Sequence, residues 1–324
     1  MAQYRRILWG RVCAAVILLI ALIFLMGACV SSLLDGGNRK DDSSQSGVLV
    51  SPNTNSQTDA TNSAMDPSGT NSKPDPVTPG AYTEITMSPA GIYSGTLVLV
   101  NDSYPSHLSK DDLQLKQVAY FSGKPDCYSV SYPAYTLLNE TALTRFNAMM
   151  EMYYSTKGNK EVMFNDGYLD AGSAKSTPES TCGLSIQLHL QKSNGGFTYI
   201  SNTEPYSWIY NNMANYGYIL RYPAEKESQT GKKGTDSVIR FVGTPHANYI
   251  TENNLCLEEY LQKLKNEYSY GKAMLQYETA GKRYSIYYVP ASLTNDTAVP
   301  VPINGSYEIS GNNTDGFIVT VTNS

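Results

Sequence analysis

Histidine, a common metal ligand and proton carrier, is rare in this sequence, and its copies are widely spaced. Only three histidines occur among 324 residues: His107, His189 and His246. A zinc site needs three or four histidine, cysteine or carboxylate ligands at one point. Three dispersed histidines do not indicate such a cluster. We expect His189 and His246 to be ordinary structural side chains and His107, in a Tyr-Pro-Ser-His loop, to be solvated.

The cysteines do not indicate a metal site either. The chain has Cys13, Cys29, Cys127, Cys182 and Cys256, and no two of them have the CxxC spacing of thiolate metal sites. The first two lie in an apolar N-terminal run, which leaves three for the rest of the chain. In an oxidising compartment an odd number permits one disulfide and one free thiol, and spacing alone does not select the pair.

Serine and cysteine side chains near position 180 do not form a recognisable nucleophile. Ser180, Cys182 and Ser185 are close in sequence, but no G-x-S-x-G turn surrounds them and no nearby His-Asp pair is available to activate them. The neighbouring Gly195-Gly196 predicts a turn between strands rather than a phosphate loop. Small buried side chains are the favoured interpretation for this segment.

The net charge of the chain argues against a nucleic-acid partner, and its composition indicates one main core. The formal net charge is −5, so no basic field is present to bind nucleic acid by counterion release. Hydrophobic residues make up 41% of the chain, which is enough for one good-sized globular domain with additional segments. We therefore expect one main core and no nucleic-acid partner.

Predicted strands and helices alternate without the regular order of βαβ units, which indicates the α+β class. Apolar alternation predicts strands, and spacing of three or four predicts helices. The predicted elements are a first strand at 95–101, a helix at Leu137–Tyr154, strands at Leu184–Leu190 and Phe197–Ile200, helices at Tyr206–Tyr216 and Leu257–Glu267, and a strand-rich C-terminal third.

The N-terminal segment is predicted to be a membrane anchor. Residues 12–34 carry no charge and are long enough to cross about 30 Å of hydrocarbon as a helix. Arg5, Arg6 and Arg11 precede this run and Asp35 follows it, which predicts a type II single-pass protein of the cell membrane with an extracellular C-terminal domain. A cleaved signal peptide is the alternative, because LMGAC places Cys29 where a lipoprotein signal would, and the protein would then be a lipoprotein or secreted.

A polar segment separates this run from the expected globular part. Residues 36–83 are rich in Ser, Asn, Thr, Asp, Gly and Pro and cannot bury enough apolar surface to offset their ordering entropy. The expected division is a cytoplasmic tail at 1–11, an anchor at 12–34, a flexible linker at 35–85 and a folded domain at 86–324.

The stretch from Tyr206 to Gly243 reads YSWIYNNMANYGYILRYPAEKESQTGKKGTDSVIRFVG. It resembles VanY-type D-alanyl-D-alanine carboxypeptidases of bacterial cell-wall metabolism, which carry a W-x-x-x-N-A-x-x-Y-G-F-I-L-R-Y-P-like segment, then T-G, then E-P-W-H-x-R-Y-V-G. Upstream, LVLVN, DGYL and ESTCGLSIQL fit in the same order, so the resemblance covers most of 95–322. It implies a D,D-peptidase or hedgehog-like fold with a central antiparallel sheet flanked by helices. The matching positions are Trp208, Asn212, Ala214, Tyr216, Gly217, Ile219, Leu220, Arg221, Tyr222, Pro223, Thr230, Gly231, Arg240, Val242 and Gly243.

The resemblance also implies where zinc ligands would stand. The family motif S-x-H-x-x-G-x-A-x-D, followed later by E-x-W-H, supplies two His and one Asp to zinc and a Glu that moves the proton. With Gly183 in register, this chain has Ser180 at the first His position and Gln187 at the Asp position.

With Arg240 and Gly243 in register, Thr235 stands at the catalytic Glu position and Val238 at the second His position. A hydroxyl, a carboxamide and an isopropyl group do not replace imidazole and carboxylate at a zinc centre. We therefore expect no zinc, no other cofactor and no catalytic residue at these four positions.

Five further residues are candidates for a remaining cleft: Tyr168, Gly183, Arg221, Ser237 and Arg240. Tyr168 belongs to a Gly-Tyr-Leu segment at which the family has Gly-Tyr-Arg, and Ser237 replaces the family Trp. The two arginines would either face the cleft or pair structurally, and structural pairing is the favoured interpretation.

Two hypotheses follow from the resemblance. The first is a pseudoenzyme: a membrane-anchored extracellular domain without peptidase activity that binds the stem peptide of peptidoglycan or a protein of the cell wall or envelope. The second is an active D-alanyl-D-alanine carboxypeptidase that uses a non-standard arrangement of side chains.

Overall fold

A mixed sheet forms the centre of the part of the chain that the structure describes, residues 81–323 of a computed structural model. Its strands are β3 (Ser129–Val130), β5 (Val162–Asp166), β6 (Ser185–Gln191), β7 (Phe197–Tyr199), β8 (Tyr218–Tyr222) and β9 (Thr235–Phe241). They run in the order β3-β5-β6-β9-β8, and β7 also pairs with β6. The pair β3 and β5 is parallel, and the other pairs are antiparallel.

A second sheet of four antiparallel strands is built from the C-terminal part. It contains β10 (Leu275–Thr279), β11 (Lys282–Pro290), β13 (Ser306–Gly311) and β14 (Gly316–Asn323), in the order β10-β11-β14-β13. Two short ribbons complete the strand pairs of residues 81–323: β1 (Tyr82–Met87) with β12 (Thr297–Pro302), and β2 (Leu115–Gln117) with β4 (Leu137–Asn139).

Five α-helices lie within residues 81–323, and the longest covers the central sheet. They are α1 (Glu140–Lys157), α2 (Ser207–Asn212), α3 (Glu227–Thr230), α4 (Thr244–Glu252) and α5 (Leu257–Glu267). The predicted helix at Tyr206–Tyr216 is α2 followed by a 3-10 turn, Met213–Tyr216, which Gly217 ends at a φ of 84°. The predicted helix at Leu257–Glu267 has the same bounds as α5.

Helix α1 begins where its sequence supplies a cap. The side chain of Asn139 accepts hydrogen bonds from the backbone N–H groups of Thr141 and Ala142, so the helix starts three residues after the predicted Leu137. Its buried face includes Phe146, whose ring meets that of Phe164 on β5 edge to face at 5.4 Å. This contact places α1 against the central sheet.

His246 joins three elements of the C-terminal part. Its Nδ1 lies 2.7 Å from the hydroxyl of Tyr260 on α5, and its Nε2 lies 3.0 Å from the hydroxyl of Thr320 on β14. Burial lowers the pKa of His246 to about 3, so the imidazole is neutral at neutral pH. The prediction of a structural role for this histidine is confirmed.

The predicted first strand at 95–101 is wrong. Residues 97–100 are buried but do not join a ladder. Leu97 N–H donates instead to the hydroxyl of Ser310 at 2.9 Å, and Leu99 N–H donates to the carbonyl of Asn312 at 3.1 Å. The alternation of apolar residues correctly indicates burial here. The segment packs beside the end of β13, however, and does not pair along a strand.

The regular structure begins earlier than the predicted boundary at 85/86. Strand β1 pairs over its whole length with β12, from Tyr82 opposite Pro302 to Met87 opposite Thr297. Residues 82–85 are therefore part of a ribbon and not of a linker. The predicted tail at 1–11 and anchor at 12–34, with the rest of the predicted linker up to residue 80, lie outside the described residues. Within 81–323, no helix has the length and apolar character needed to cross a membrane.

Candidate functional site

A cavity of about 290 Å³ opens beside the central sheet, where β6 and β9 meet the segment between β5 and β6. Its wall is partly apolar and carries polar and charged groups at its edges. The lining residues are Asp166, Gly167, Leu169, Lys175, Thr177, Glu179, Ser180, Ser185, Ile186, Gln187, Tyr222, Lys232, Lys233, Thr235 and Val238.

The four positions singled out in the sequence converge on this cavity. Ser180, Gln187, Thr235 and Val238 all line it, although 58 residues separate the first from the last. Gln187 and Val238 are direct partners across β6 and β9. Ser180 lies on a 3-10 turn, Glu179–Cys182, that leads into β6. The fold therefore brings together segments that sequence spacing alone does not relate.

The side chains at these positions make local hydrogen bonds. The Ser180 hydroxyl donates to the Thr177 carbonyl at 2.8 Å and accepts from the Thr177 N–H at 2.9 Å. The Gln187 carbonyl oxygen accepts from the Asn165 amide at 3.1 Å, and the Thr235 hydroxyl lies 2.8 Å from that of Ser237. The hydroxyls of Ser180 and Thr235 and the side-chain oxygen of Gln187 thus already have partners within the protein.

Zinc, which the family resemblance implies, does not fit this donor set. Zinc sites use imidazole, thiolate or carboxylate groups, and the four positions supply none of these. Across residues 81–323, no group of three or more His, Cys, Asp or Glu side chains is arranged to hold a metal ion. Lys175, Lys232 and Lys233 also line the cavity, beside two carboxylate residues, Asp166 and the arginine-paired Glu179, so the lining has no excess of negative charge to attract a divalent cation.

Glu179 is the residue that sequence reasoning missed. Its carboxylate is 2% exposed and accepts from Arg221 Nε at 2.8 Å, from Arg240 Nη1 at 2.6 Å and from the hydroxyl of Ser185. Burial would raise the pKa of Glu179, but the two guanidinium groups and the Ser185 hydroxyl lower it to about 2. The carboxylate is thus ionised at neutral pH.

The same two arginines extend this ion network to other elements. Arg221, on β8, forms a two-pronged contact with Glu258 of α5 at 3.0 and 2.8 Å. Arg240, on β9, donates through Nη2 to the carbonyls of Thr96 and Val98 at 3.2 and 2.8 Å. With two arginines and two glutamates, the formal charges of the network balance, and its hydrogen bonds compensate for burial.

Four of the five residues predicted to border a cleft are instead buried and do not line the cavity. Arg221 and Arg240 are fully buried in the ion network and do not border the cavity, so structural pairing was the right alternative. Ser237 is 2% exposed beneath Thr235. Gly183 is buried at a φ of 69°, and a Cβ there would lie 2.7 Å from a methyl group of Leu115. Tyr168 borders a smaller adjacent cavity of about 220 Å³.

The three histidines do not line the cavity. His189 is 4% exposed and packs between the rings of Phe197 and Tyr199, whose centroids lie 4.9 and 4.8 Å from its own. Its ring nitrogens make no hydrogen bond to the described residues. The lone histidine is thus part of an aromatic cluster. His107 is exposed, as predicted, beside Tyr93.

The three cysteines of the described part are buried free thiols: Cys127, Cys182 and Cys256. The Cys182 thiol donates to the Glu179 carbonyl at 3.0 Å, beside the cavity wall. Burial raises the pKa of the Cys182 thiol, which disfavours the thiolate needed for nucleophilic attack. The small buried role predicted for Cys182 agrees with this environment.

Comparison with known proteins finds relatives that are D-alanyl-D-alanine carboxypeptidases. The chain is 32% identical to a D-alanyl-D-alanine carboxypeptidase of Enterococcus faecium over 263 residues, which are 74% of this chain and 78% of that protein. It is 34% identical over 85 residues to the bifunctional D-Ala-D-Ala dipeptidase and D-Ala-D-Ala carboxypeptidase VanXYC of Enterococcus gallinarum, which is 25% of this chain and 45% of that protein. No protein-family model matches the chain.

A solved structure shares the fold over a similar range. The vancomycin resistance D,D-dipeptidase VanXYg, solved in complex with a D-Ala-D-Ala phosphinate analog, matches with a TM-score of 0.60 and 26% identity. The match covers 75% of this chain and 100% of that one. The predicted α+β fold of the D,D-peptidase type is confirmed.

Replacing the carboxylate of Glu179 is expected to destabilise the protein strongly. In Glu179→Gln, Arg221 and Arg240 remain buried without their shared anion, and we expect the free energy of unfolding in urea to fall by about 3–5 kcal/mol. The matched control is Glu267→Gln, which breaks an exposed pair with Lys263 at 2.6 Å. That change is expected to cost less than about 1 kcal/mol.

The same variant gives a pH signature. Because the pKa of Glu179 is about 2 in the fold and 4.5 ordinarily, its stabilisation is complete above pH 4.5 and is lost as the pH falls towards 2. The difference in unfolding free energy between the native chain and Glu179→Gln should therefore narrow from pH 5 to pH 3. An unchanged difference would contradict an ionised, paired Glu179.

Proposed function

The chain belongs to the family of D-alanyl-D-alanine carboxypeptidases of the VanY and VanX type, and we propose that its cavity binds the D-alanine end of the peptidoglycan stem peptide without hydrolysing it. The family explains the fold and directs attention to peptidoglycan. The chemistry of the lining side chains decides between binding and hydrolysis.

One observation carries the proposal: Ser180, Gln187, Thr235 and Val238 meet in a single cavity although none of them is a metal ligand or a general base at neutral pH. Their convergence supports the sequence alignment in which Ser180, Gln187, Thr235 and Val238 stand at the positions of the family's first His, Asp, Glu and second His. Their chemistry supports loss of the zinc site. A cavity that keeps its place in the fold but lacks this donor set favours binding.

The cavity offers groups suited to a peptide end. Lys175, Lys232 and Lys233 line it, and the carboxylate of Asp166 lies on the same wall. Lys232 also contacts Asp102 at 2.6 Å, so its charge is partly compensated. The remaining positive charge attracts a terminal carboxylate, while the amide of Gln187 matches a peptide bond. Apolar side chains such as Leu169 and Val238 suit the methyl groups of D-alanine.

Peptide binding without turnover is the direct test. We expect saturable heat when a pentapeptide ending in D-alanyl-D-alanine is titrated into the purified full chain, and no release of D-alanine over the same time. Val238→Phe should abolish the heat, because the larger ring fills the cavity, whereas Val238→Ala, which leaves the cavity open and apolar, should retain most of it. Release of D-alanine that a chelator stops would overturn the proposal and favour the active carboxypeptidase.

Restoring the missing ligands tests the register of the four positions. The native chain should retain no zinc after dialysis. A variant with Ser180→His, Gln187→Asp, Val238→His and Thr235→Glu should retain about one zinc per chain, since three ligands plus water satisfy the metal. The same variant without Val238→His should bind far less. One zinc per native chain, measured by atomic absorption, would contradict the proposed loss of the site.

We further propose that residues 12–34 anchor this domain on the outer side of the cell membrane. The support is the uncharged run itself and the arginines before it, Arg5, Arg6 and Arg11. An anchored chain should stay in the membrane fraction after alkaline washing and lose its C-terminal part to protease added outside intact cells. Cys29→Ala should leave this fractionation unchanged; release of the variant into the medium or loss of a lipid label would instead support a lipoprotein.

A further inference from the structure

A second cavity of about 220 Å³ continues the first, and both are lined by Asp166, Gly167, Leu169 and Lys175. Its remaining lining residues are Tyr132, Tyr135, Thr136 and Tyr168, which we call the tyrosine groove. We propose that the tyrosine groove binds a sugar ring of a glycan strand. The identity of the strand rests on the proposed function, because peptidoglycan is the glycan to which such stem peptides are attached.

Two tyrosines of the groove are displayed to solvent by a tight turn. Tyr135 is 81% exposed and Tyr132 is 46% exposed. The N–H groups of Tyr135 and Thr136 both donate to the Tyr132 carbonyl, at 3.0 and 2.9 Å, and the Thr136 hydroxyl donates to the same oxygen at 2.9 Å. Aromatic rings held outward on an ordered turn supply a large contact area at little cost in conformational entropy.

The backbone fixes this turn against the wall of the first cavity. Ser131 N–H donates to the Phe164 carbonyl at 3.0 Å on one side of the turn, and Tyr168 N–H donates to the Leu137 carbonyl at 2.8 Å on the other. A Cβ at Gly167 would lie 2.2 Å from the Leu137 carbonyl oxygen, so glycine permits this close approach. The groove is therefore a feature of the fold rather than of one side-chain rotamer.

Two rings of the groove are also oriented by charged neighbours. Lys175 Nζ donates to the Tyr132 hydroxyl at 3.3 Å and lies 5.0 Å from the centroid of that ring. The Tyr168 hydroxyl donates to Asp170 at 3.1 Å, and Lys110 Nζ lies 5.6 Å from the Tyr168 ring centroid. Tyr135 is the ring with its faces most open to a ligand.

The chemistry of the groove matches a saccharide better than an apolar ligand. A sugar ring has an apolar face of C–H groups and an edge of hydroxyls, so it can stack on Tyr135 while its hydroxyls reach Asp166 and Lys175. A purely apolar ligand would bury the Asp166 carboxylate and the Lys175 ammonium without new hydrogen-bond partners. The opposite charges of these two groups also remove any strong preference for an ionic ligand.

Geometry limits which sugar the groove can hold. An extended pentapeptide separates its ends by roughly 16 Å, whereas the two cavities share a wall. The groove would therefore hold a sugar from a glycan strand lying beside the bound peptide, not the sugar at that peptide's own N-terminus. Sugar and peptide should then bind to one chain at the same time.

The test uses a peptide-free saccharide, the β-1,4-linked tetramer of N-acetylglucosamine, titrated into the purified full chain by calorimetry. We expect saturable binding that Tyr135→Ala weakens about five- to tenfold, as loss of one stacked ring predicts. Tyr120→Ala is the matched control: Tyr120 is 70% exposed and lines neither cavity. Both variants should melt at the native temperature, because both rings are largely in solvent.

The outcomes separate this inference from the proposed function. If the D-alanine peptide binds but the sugar does not, or if Tyr135→Ala and Tyr132→Ala both leave sugar binding unchanged, the saccharide site is overturned and the peptide site stands. Sugar binding that Tyr135→Ala weakens, in a chain that does not bind the peptide, would support the groove and overturn the proposed function. Peptide binding that saturating sugar abolishes would contradict two separate subsites.

Discussion

The buried ion network centred on Glu179 is the constraint on which the site depends. One carboxylate fixes Arg221 of β8 and Arg240 of β9, and these reach Glu258 of α5 and the backbone at Thr96 and Val98. Such a network gains little net energy over an apolar core, but removing one member leaves buried charge unpaired. The network therefore specifies one arrangement of these segments, because the turn at 179–182 has to place the Glu179 carboxylate between the guanidinium groups of Arg221 and Arg240.

The turn at 179–182 carries Ser180. Strand β9 carries Arg240 and also Thr235 and Val238. The network thus fixes the wall that carries these side chains: Glu179 and its hydrogen-bond donor Ser185 border the cavity, whereas Arg221 and Arg240 lie behind it. Changes at Ser180, Gln187, Thr235 or Val238 leave every member of this network in place, so they are expected to cost little stability. The family's scaffold and the family's chemistry are separable here for a physical reason.

Sequence reasoning succeeded where the controlling interactions are local. The bounds of α5 follow from Leu257, Leu261 and Leu264 on one helical face. The predicted end of α1 at Tyr154 was three residues short of Lys157, where Gly158 in the left-handed region ends the helix. Sequence reasoning failed where the conformation or role of a residue depends on partners that are distant in the chain. Residues 97–100 alternate like a strand, but their N–H groups bond to residues more than 200 positions away. Glu179 looked like any polar residue, because its partners lie 42 and 61 residues along the chain. The grouping of Ser180, Gln187, Thr235 and Val238 came from family resemblance and not from periodicity.

The place of β14 within the second sheet has a consequence for how the protein is made. Residues 316–323 form a central strand, paired with β11 on one side and β13 on the other, and Thr320 on this strand meets His246. During synthesis the central sheet and its ion network have all their strands before this last strand leaves the ribosome. The side of β11 that pairs with β14 then remains uncovered until residues 316–323 have emerged, which takes on the order of seconds at ordinary translation rates. A ribosome that stalls near residue 310 would leave the second sheet without its central strand, with the pairing edges of β11 and β13 open to aggregation.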